Sequence, residues 1–202
     1  MFLTEYVLKL ENLVFESPVY WEQAPHFNDN IQQLGAKHPG LKKLYCGEPC
    51  VTENVLDIAR SLPNLQEIGL RGGIGRHPSN SVMDHLSCYR MLPKLKRISF
   101  PWVSFLGVGF YPPCGNAYFN NPGLRVRLAA KAKEVTEQLL EGIQREVMAP
   151  GGPCLQTVVV GETVYAYGSN GRFQKSRIIR RIGRDRRTIV EEDIENSGDE
   201  DD

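Results

Sequence analysis

Pro93-Lys94-Leu95-Lys96-Arg97-Ile98-Ser99-Phe100 is a phrase that returns along the chain. With Leu95 as position one, apolar side chains fall at positions one, four and six. Positions four and six are two residues apart, so on a strand they share one face. Position one sits at the turn into that strand and also points inward. The proline two residues before it ends any preceding helix, because it cannot continue one.

The phrase occurs upstream as Pro39-Gly40-Leu41-Lys42-Lys43-Leu44-Tyr45-Cys46 and as Pro63-Asn64-Leu65-Gln66-Glu67-Ile68-Gly69-Leu70. Downstream it is Pro153-Cys154-Leu155-Gln156-Thr157-Val158-Val159-Val160. Near the N-terminus, Leu10-Glu11-Asn12-Leu13-Val14-Phe15 repeats the spacing without the proline. Each inward side chain contributes about 1.5–3 kcal/mol when fully buried. One such strand cannot make a core alone, whereas stacked neighbours make a continuous one.

The intervening segments are expected to return as helices. Thr52 is a candidate N-cap before Val55, Leu56, Ala59 and Leu62. Ser79 or Ser81 caps a second return carrying Val82, Met83, Leu86 and Tyr89, and 28–34 makes a shorter first one. The longest helix is predicted over 124–148, where Leu124, Leu128, Ala132, Val135, Leu139 and Ile143 recur at helical spacing. The position-one residues Leu10, Leu41, Leu65, Leu95 and Leu155 are separated by 31, 24, 30 and 60 residues. The last gap has room for a further repeat, with Phe105-Leu106-Gly107-Val108 as its candidate strand, or for an insertion.

These L-x-x-L-x-L phrases with helical returns resemble leucine-rich-repeat proteins. The irregular lengths and P-x-L-x-x-I/L endings resemble the repeat region of fungal F-box/leucine-rich-repeat proteins. The resemblance spans roughly residues 1–168. It implies an α/β fold: an irregular strand–helix solenoid of the ribonuclease-inhibitor kind, acting as a non-catalytic protein-interaction scaffold. That family recruits a cullin-type ubiquitin ligase through an F-box. No Leu-Pro-x-Glu segment of that kind occurs here, so the resemblance implies a ligase link only if an F-box lies upstream. No polar cap precedes Leu10, so the chain is expected to be either a truncated product or a freestanding repeat protein.

On such a scaffold the residues between the apolar positions face outward. The candidate partner-binding residues are Lys43, Tyr45, Glu67, Arg97, Ser99 and Thr157, with Trp102 and Tyr111 from the segment 101–123. The alternative reading of Lys43, Glu67 and Arg97 is opposite charges supporting neighbouring strands. Segment 101–123 holds six aromatic residues. It is expected to form either a satellite core or a cap over a peptide groove, the former being preferred.

Composition narrows the function classes. Hydrophobic residues make up 41% and charged residues 24% of the 202 residues, as in ordinary globular proteins. The 24 basic and 24 acidic residues cancel, so bulk charge does not point to nucleic acid or membrane. No apolar run approaches the roughly 20 residues that span a bilayer. Five cysteines without a signal peptide predict a reducing intracellular location, cytoplasmic or nuclear.

No cofactor is expected, nor an enzyme. Arg71-Gly72-Gly73-Ile74-Gly75-Arg76 lacks the G-K-[ST] ending of a phosphate loop. The donors of Cys46-x-x-x-Cys50 and His85-x-x-Cys88 lie in different elements, and Cys46 takes an inward repeat position, so no metal site is predicted. An enzyme whose site leaves no sequence trace is the third alternative.

Beyond the last repeat, 163–167 alternates like a strand, 168–171 reads as a turn and 172–182 as a second strand. This hairpin, which runs into a basic segment 169–190, is expected to cap the repeats. Residues 172–187 carry eight bases and one acid, and 191–202 carry eight acids and no base. The basic run is read as an amphipathic strand, with nucleic-acid contact as the alternative function. The acidic stretch is expected to be a disordered tail that can fold back on the basic run, with Ser197 as a candidate phosphorylation site.

Overall fold

In a computed structural model of the chain, each proline-led phrase becomes a strand of one sheet. The structure describes residues 11–14, 27–49, 51–72, 81–106, 120–182 and 188–193. Eight strands lie side by side in chain order: β1 (Asn12–Val14), β2 (Lys43–Pro49), β3 (Glu67–Gly72), β4 (Arg97–Phe100), β5 (Thr157–Val160), β6 (Thr163–Tyr167), β7 (Phe173–Ile182) and β8 (Thr188–Asp193). β1 to β5 are parallel, and β5 to β8 antiparallel. The fold is α/β with a mixed sheet.

Parallel neighbours need a crossover, and helices supply it. α1 (Phe27–Lys37) lies between β1 and β2, and α2 (Thr52–Ser61) between β2 and β3. A 3-10 helix (Val82–Met91) joins β3 to β4, and α3 (Pro122–Gly142) with a π turn (Ile143–Val147) precedes β5. Position-one residues Leu41, Leu65, Leu95 and Leu155 are all 2% exposed or less. With Leu44, Ile68, Ile98 and Val158 they join Val55, Leu86, Val135 and Leu139 of the helical layer in one core.

Backbone bonds lock the repeats in step. The position-two carbonyls of Glu11, Lys42, Gln66 and Lys96 each accept two N–H groups, those of positions two and three of the next unit, at 2.7–3.0 Å. Strand starts therefore align, and Asn12, Lys43, Glu67, Arg97 and Thr157 form one row across five strands.

Several expectations need correction. β4 bonds directly to β5, so the long gap puts no strand between them. Phe105, expected in the hidden strand, ends a short 3-10 turn (Val103–Phe105), and Gly107 and Val108 lie outside the described residues. Thr52 opens α2 instead of capping it: Val51 is the N-cap, and the Thr52 hydroxyl is engaged by His85. Ser81 does cap the next return, in a capping box with Asp84, but that return is a 3-10 helix. Its buried residues Leu86 and Tyr89, followed by the buried C-cap Leu92, step by three, which suits three residues per turn.

The long helix begins at Pro122, capped by Asn121 Oδ1 on the Leu124 N–H at 2.9 Å, and takes π form after Gly142. Residues 191–193, assigned to a tail, end β8; Asp193, Glu192 and Glu191 stand opposite Arg177, Ile178 and Ile179.

Candidate functional site

The sheet face opposite the helical layer is built by β2, β3 and β4, with β5 at its border. Alternation along each strand sends Lys43 and Tyr45, Glu67 and Gly69, Arg97 and Ser99, and Thr157 and Val159 to this face. The structure thus brings six of the proposed site residues into two rows.

Glu67 stands between Lys43 and Arg97 in register. Lys43 Nζ lies 2.5 Å from Glu67 Oε1, and Tyr45 Oη donates to Glu67 Oε2 at 3.1 Å. One carboxylate therefore holds two side chains of the adjacent strand. Tyr45 crosses β3 over Gly69 and also bonds the Ser99 side chain on β4. A Cβ on Gly69 would fall on the Tyr45 ring, so only glycine lets the phenol lie flat there. Burial pushes the Tyr45 phenol above its ordinary value; the Arg97 charge opposes this and the Glu67 charge adds to it. The tyrosine stays protonated, available as donor and as flat apolar surface.

The border with β5 is different. Thr157 is half-buried, but Val159 is only 3% exposed and Val164, opposite it on β6, 2%. Neither belongs to the main core. The open part of the face is therefore β2 to β4. Beyond the ends of these strands, Trp102 is 52% exposed and packs its ring on Gly161, whose φ of +61° makes the β5–β6 turn. In the same turn of chain Val103 and Leu106 enter the core, while Phe105 is 53% exposed. Segment 101–123 is thus part core and part exposed in its described residues. Tyr111 and Ser197 lie outside the described residues.

Other chemistry-bearing groups sit in the helical layer. Thr52 Oγ1 and His85 Nδ1 are 2.5 Å apart, and Cys88 Sγ donates to the His85 carbonyl at 2.6 Å. Burial pushes the Cys88 thiol up to about 12, so it is no nucleophile at neutral pH. Among the described residues no three His, Cys, Asp or Glu side chains come together as a metal site, and no helix is long and apolar enough to cross a membrane. Cys46 is buried on the core face, away from the exposed rows, and Cys50 lies outside the described residues.

Sequence reasoning did not anticipate the Tyr45–Gly69 pairing. Its signal was present: a glycine at an outward position, in register with an aromatic on the neighbouring repeat. No known protein family, no curated protein and no solved structure matches the chain.

Proposed function

We propose that this chain is a leucine-rich-repeat solenoid whose open strand face binds a partner protein, with no catalytic role of its own. The observation that carries the reading is the in-register face itself. Tyr45 is laid flat over Gly69, flanked by Lys43, Glu67, Arg97 and Ser99, with half-buried side chains that need little ordering on binding. Tyrosine and arginine at the centre of a flat patch are the side chains that anchor interfaces. The parallel strand–helix units and their position-two carbonyl ladder support the repeat assignment.

The likeness to the substrate-recognition repeats of F-box receptors supports one role within this class, the capture of a protein for a ligase. No F-box-like Leu-Pro-x-Glu segment occurs in this sequence, so a ligase link would exist only if an F-box lies upstream.

Photo-crosslinking tests the reading. A benzoylphenylalanine placed at Ser99 is expected to trap a discrete protein in the cells that make this chain. The same probe at Glu134, exposed on α3 on the opposite side of the core, is expected to trap none. Equal adducts from both positions, or none from Ser99, would refute it.

The alternative of nucleic-acid contact through the basic strand is not favoured. β8 sets Asp193 opposite Arg177, so one cation of that basic strand stands in register with a carboxylate.

A further inference from the structure

The turn between β6 and β7 carries a reactive pair that the open face does not use. Asn170 is the only asparagine of the sequence followed by glycine, and it is exposed. An asparagine amide is open to attack by the backbone nitrogen of the next residue, because that attack closes a five-membered ring. A side chain on the next residue hinders the approach, and Gly171 has none. Gly171 has a φ of +73°, and a Cβ there would meet nothing closer than the Tyr167 hydroxyl at 3.7 Å, so its surroundings are open.

Two backbone N–H groups act on this pair in opposite directions. The Arg172 N–H donates to Asn170 Oδ1 at 3.2 Å. It polarises the amide carbonyl and already faces the oxygen on which negative charge gathers during attack. Gly171 lies between the two bonded groups, so the same contact holds the amide against the Gly171 peptide. Against this, the Gly171 N–H donates to the Gly168 carbonyl at 3.1 Å, which holds back the proton that the attacking nitrogen must lose.

We propose that Asn170 is a self-modification site that passes through a succinimide to aspartate and isoaspartate. The Gly171 nitrogen bonds to Asn170 Cγ and gives up its proton to water or hydroxide. The side-chain nitrogen takes up a proton and leaves as ammonia, which closes the ring. Water then opens the ring at either carbonyl. One product is aspartate. In the other the backbone runs through the former side chain and is one methylene longer.

That methylene falls inside a closed turn. The Gly168 N–H donates to the Arg172 carbonyl at 2.9 Å across it, and Gln144 Nε2 of the π turn donates to the Gly171 carbonyl at 2.6 Å. Lengthening the chain between Gly168 and Arg172 displaces the partners of both bonds. Isoaspartate therefore loosens the hairpin from the helical layer. None of this depends on the open face binding a partner.

The test ages the full chain at mildly alkaline pH, folded and in urea, and follows it by peptide mass spectrometry. An isoaspartyl methyltransferase reports isoaspartate. The native chain is expected to lose the Asn170 amide while the other described asparagines keep theirs, and to gain methyl-accepting sites. It is also expected to melt below Asn170→Asp, which carries the charge without the added methylene. Asn170→Gln, whose ring would be larger, is expected to stay unmethylated. A native chain that keeps the Asn170 amide while the unfolded chain loses it overturns the proposal, because the Gly168 bond then protects the turn. Loss at Asn64 as fast as at Asn170 overturns it as well, because the glycine and the turn then add nothing.

Discussion

The parallel strands β1–β5 and the antiparallel strands β6–β8 belong to one sheet but are stabilised differently. In the parallel part every connection passes through a helical layer, and Leu44, Ile68, Ile98 and Val158 are 1% exposed or less. Between β5 and β6 and between β6 and β7 short turns replace the helices. Tyr165 and Phe173 still pack against the main core, but Ile178 and Ile179 on β7 are only half-buried. The same β-branched residues thus make a core in one region and a partly covered ribbon in the other. What decides is the presence of a second layer, not strand propensity.

The largest expected effect contrasts the two regions directly. Ile98→Ala leaves a cavity in the closed core and is expected to cost about 2–5 kcal/mol, whereas Ile178→Ala costs about 1 kcal/mol or less. Urea unfolding of both variants measures this, and equal losses would break the distinction between closed core and open ribbon.

Gly69→Ala comes next. The new methyl group meets the Tyr45 ring, and displacing it is expected to cost about 1–3 kcal/mol. Tyr45→Ala in the same chain should recover most of that loss, since the obstacle is then gone. A thermal-melt cycle that shows additive losses would mean the ring does not lie over Gly69.

A smaller effect of opposite sign is expected at Glu48, 5% exposed on the core side where the β2–β3 register slips between Cys46 and Pro49. Burial raises its carboxyl above the ordinary value. The folded chain then holds this proton more tightly than the unfolded one, so stability is lost as pH rises through the carboxylate range and stays lost at neutral pH. Glu48→Gln is expected to raise the melting temperature by a few degrees at pH 7. The gain should close as pH falls below the ordinary carboxylate range, and a gain that persists in acid would point away from charge.

The smallest effect leaves stability untouched. Of the three described cysteines, Cys154 is exposed while Cys46 and Cys88 are buried. Iodoacetamide followed by mass spectrometry should modify Cys154 in the native chain and spare the other two. Rapid labelling of Cys88 would mean that the helical layer opens.

Legibility followed the same division. The parallel strands could be read because proline, position one and the two-apart apolar pair all mark the same boundary. Residues 163–167 and 172–182 were readable by alternation and by the Gly168-Ser169-Asn170-Gly171 turn between them. β8 was not, because Glu191, Glu192 and Asp193 have poor strand propensity, and pairing beside a basic strand overrides it. The absence of a strand between β4 and β5 was equally hidden. A gap of 60 residues is about two repeat lengths, and only the β4–β5 pairing shows that the sheet closes over it.

Of the candidate site, the two rows were legible from spacing alone. The burial of Val159 and the crossing of Tyr45 over Gly69 were not, because both depend on what lies one strand away.

The doubly used carbonyls of Glu11, Lys42, Gln66 and Lys96 have a consequence for how such a chain changes over generations. They tie neighbouring units at the strand starts and ask nothing of the length between them. Insertions and deletions on the helical side can therefore accumulate while the face keeps its spacing. Recognition is free to drift by single substitutions on a fixed grid, and the back of the molecule absorbs the rearrangements.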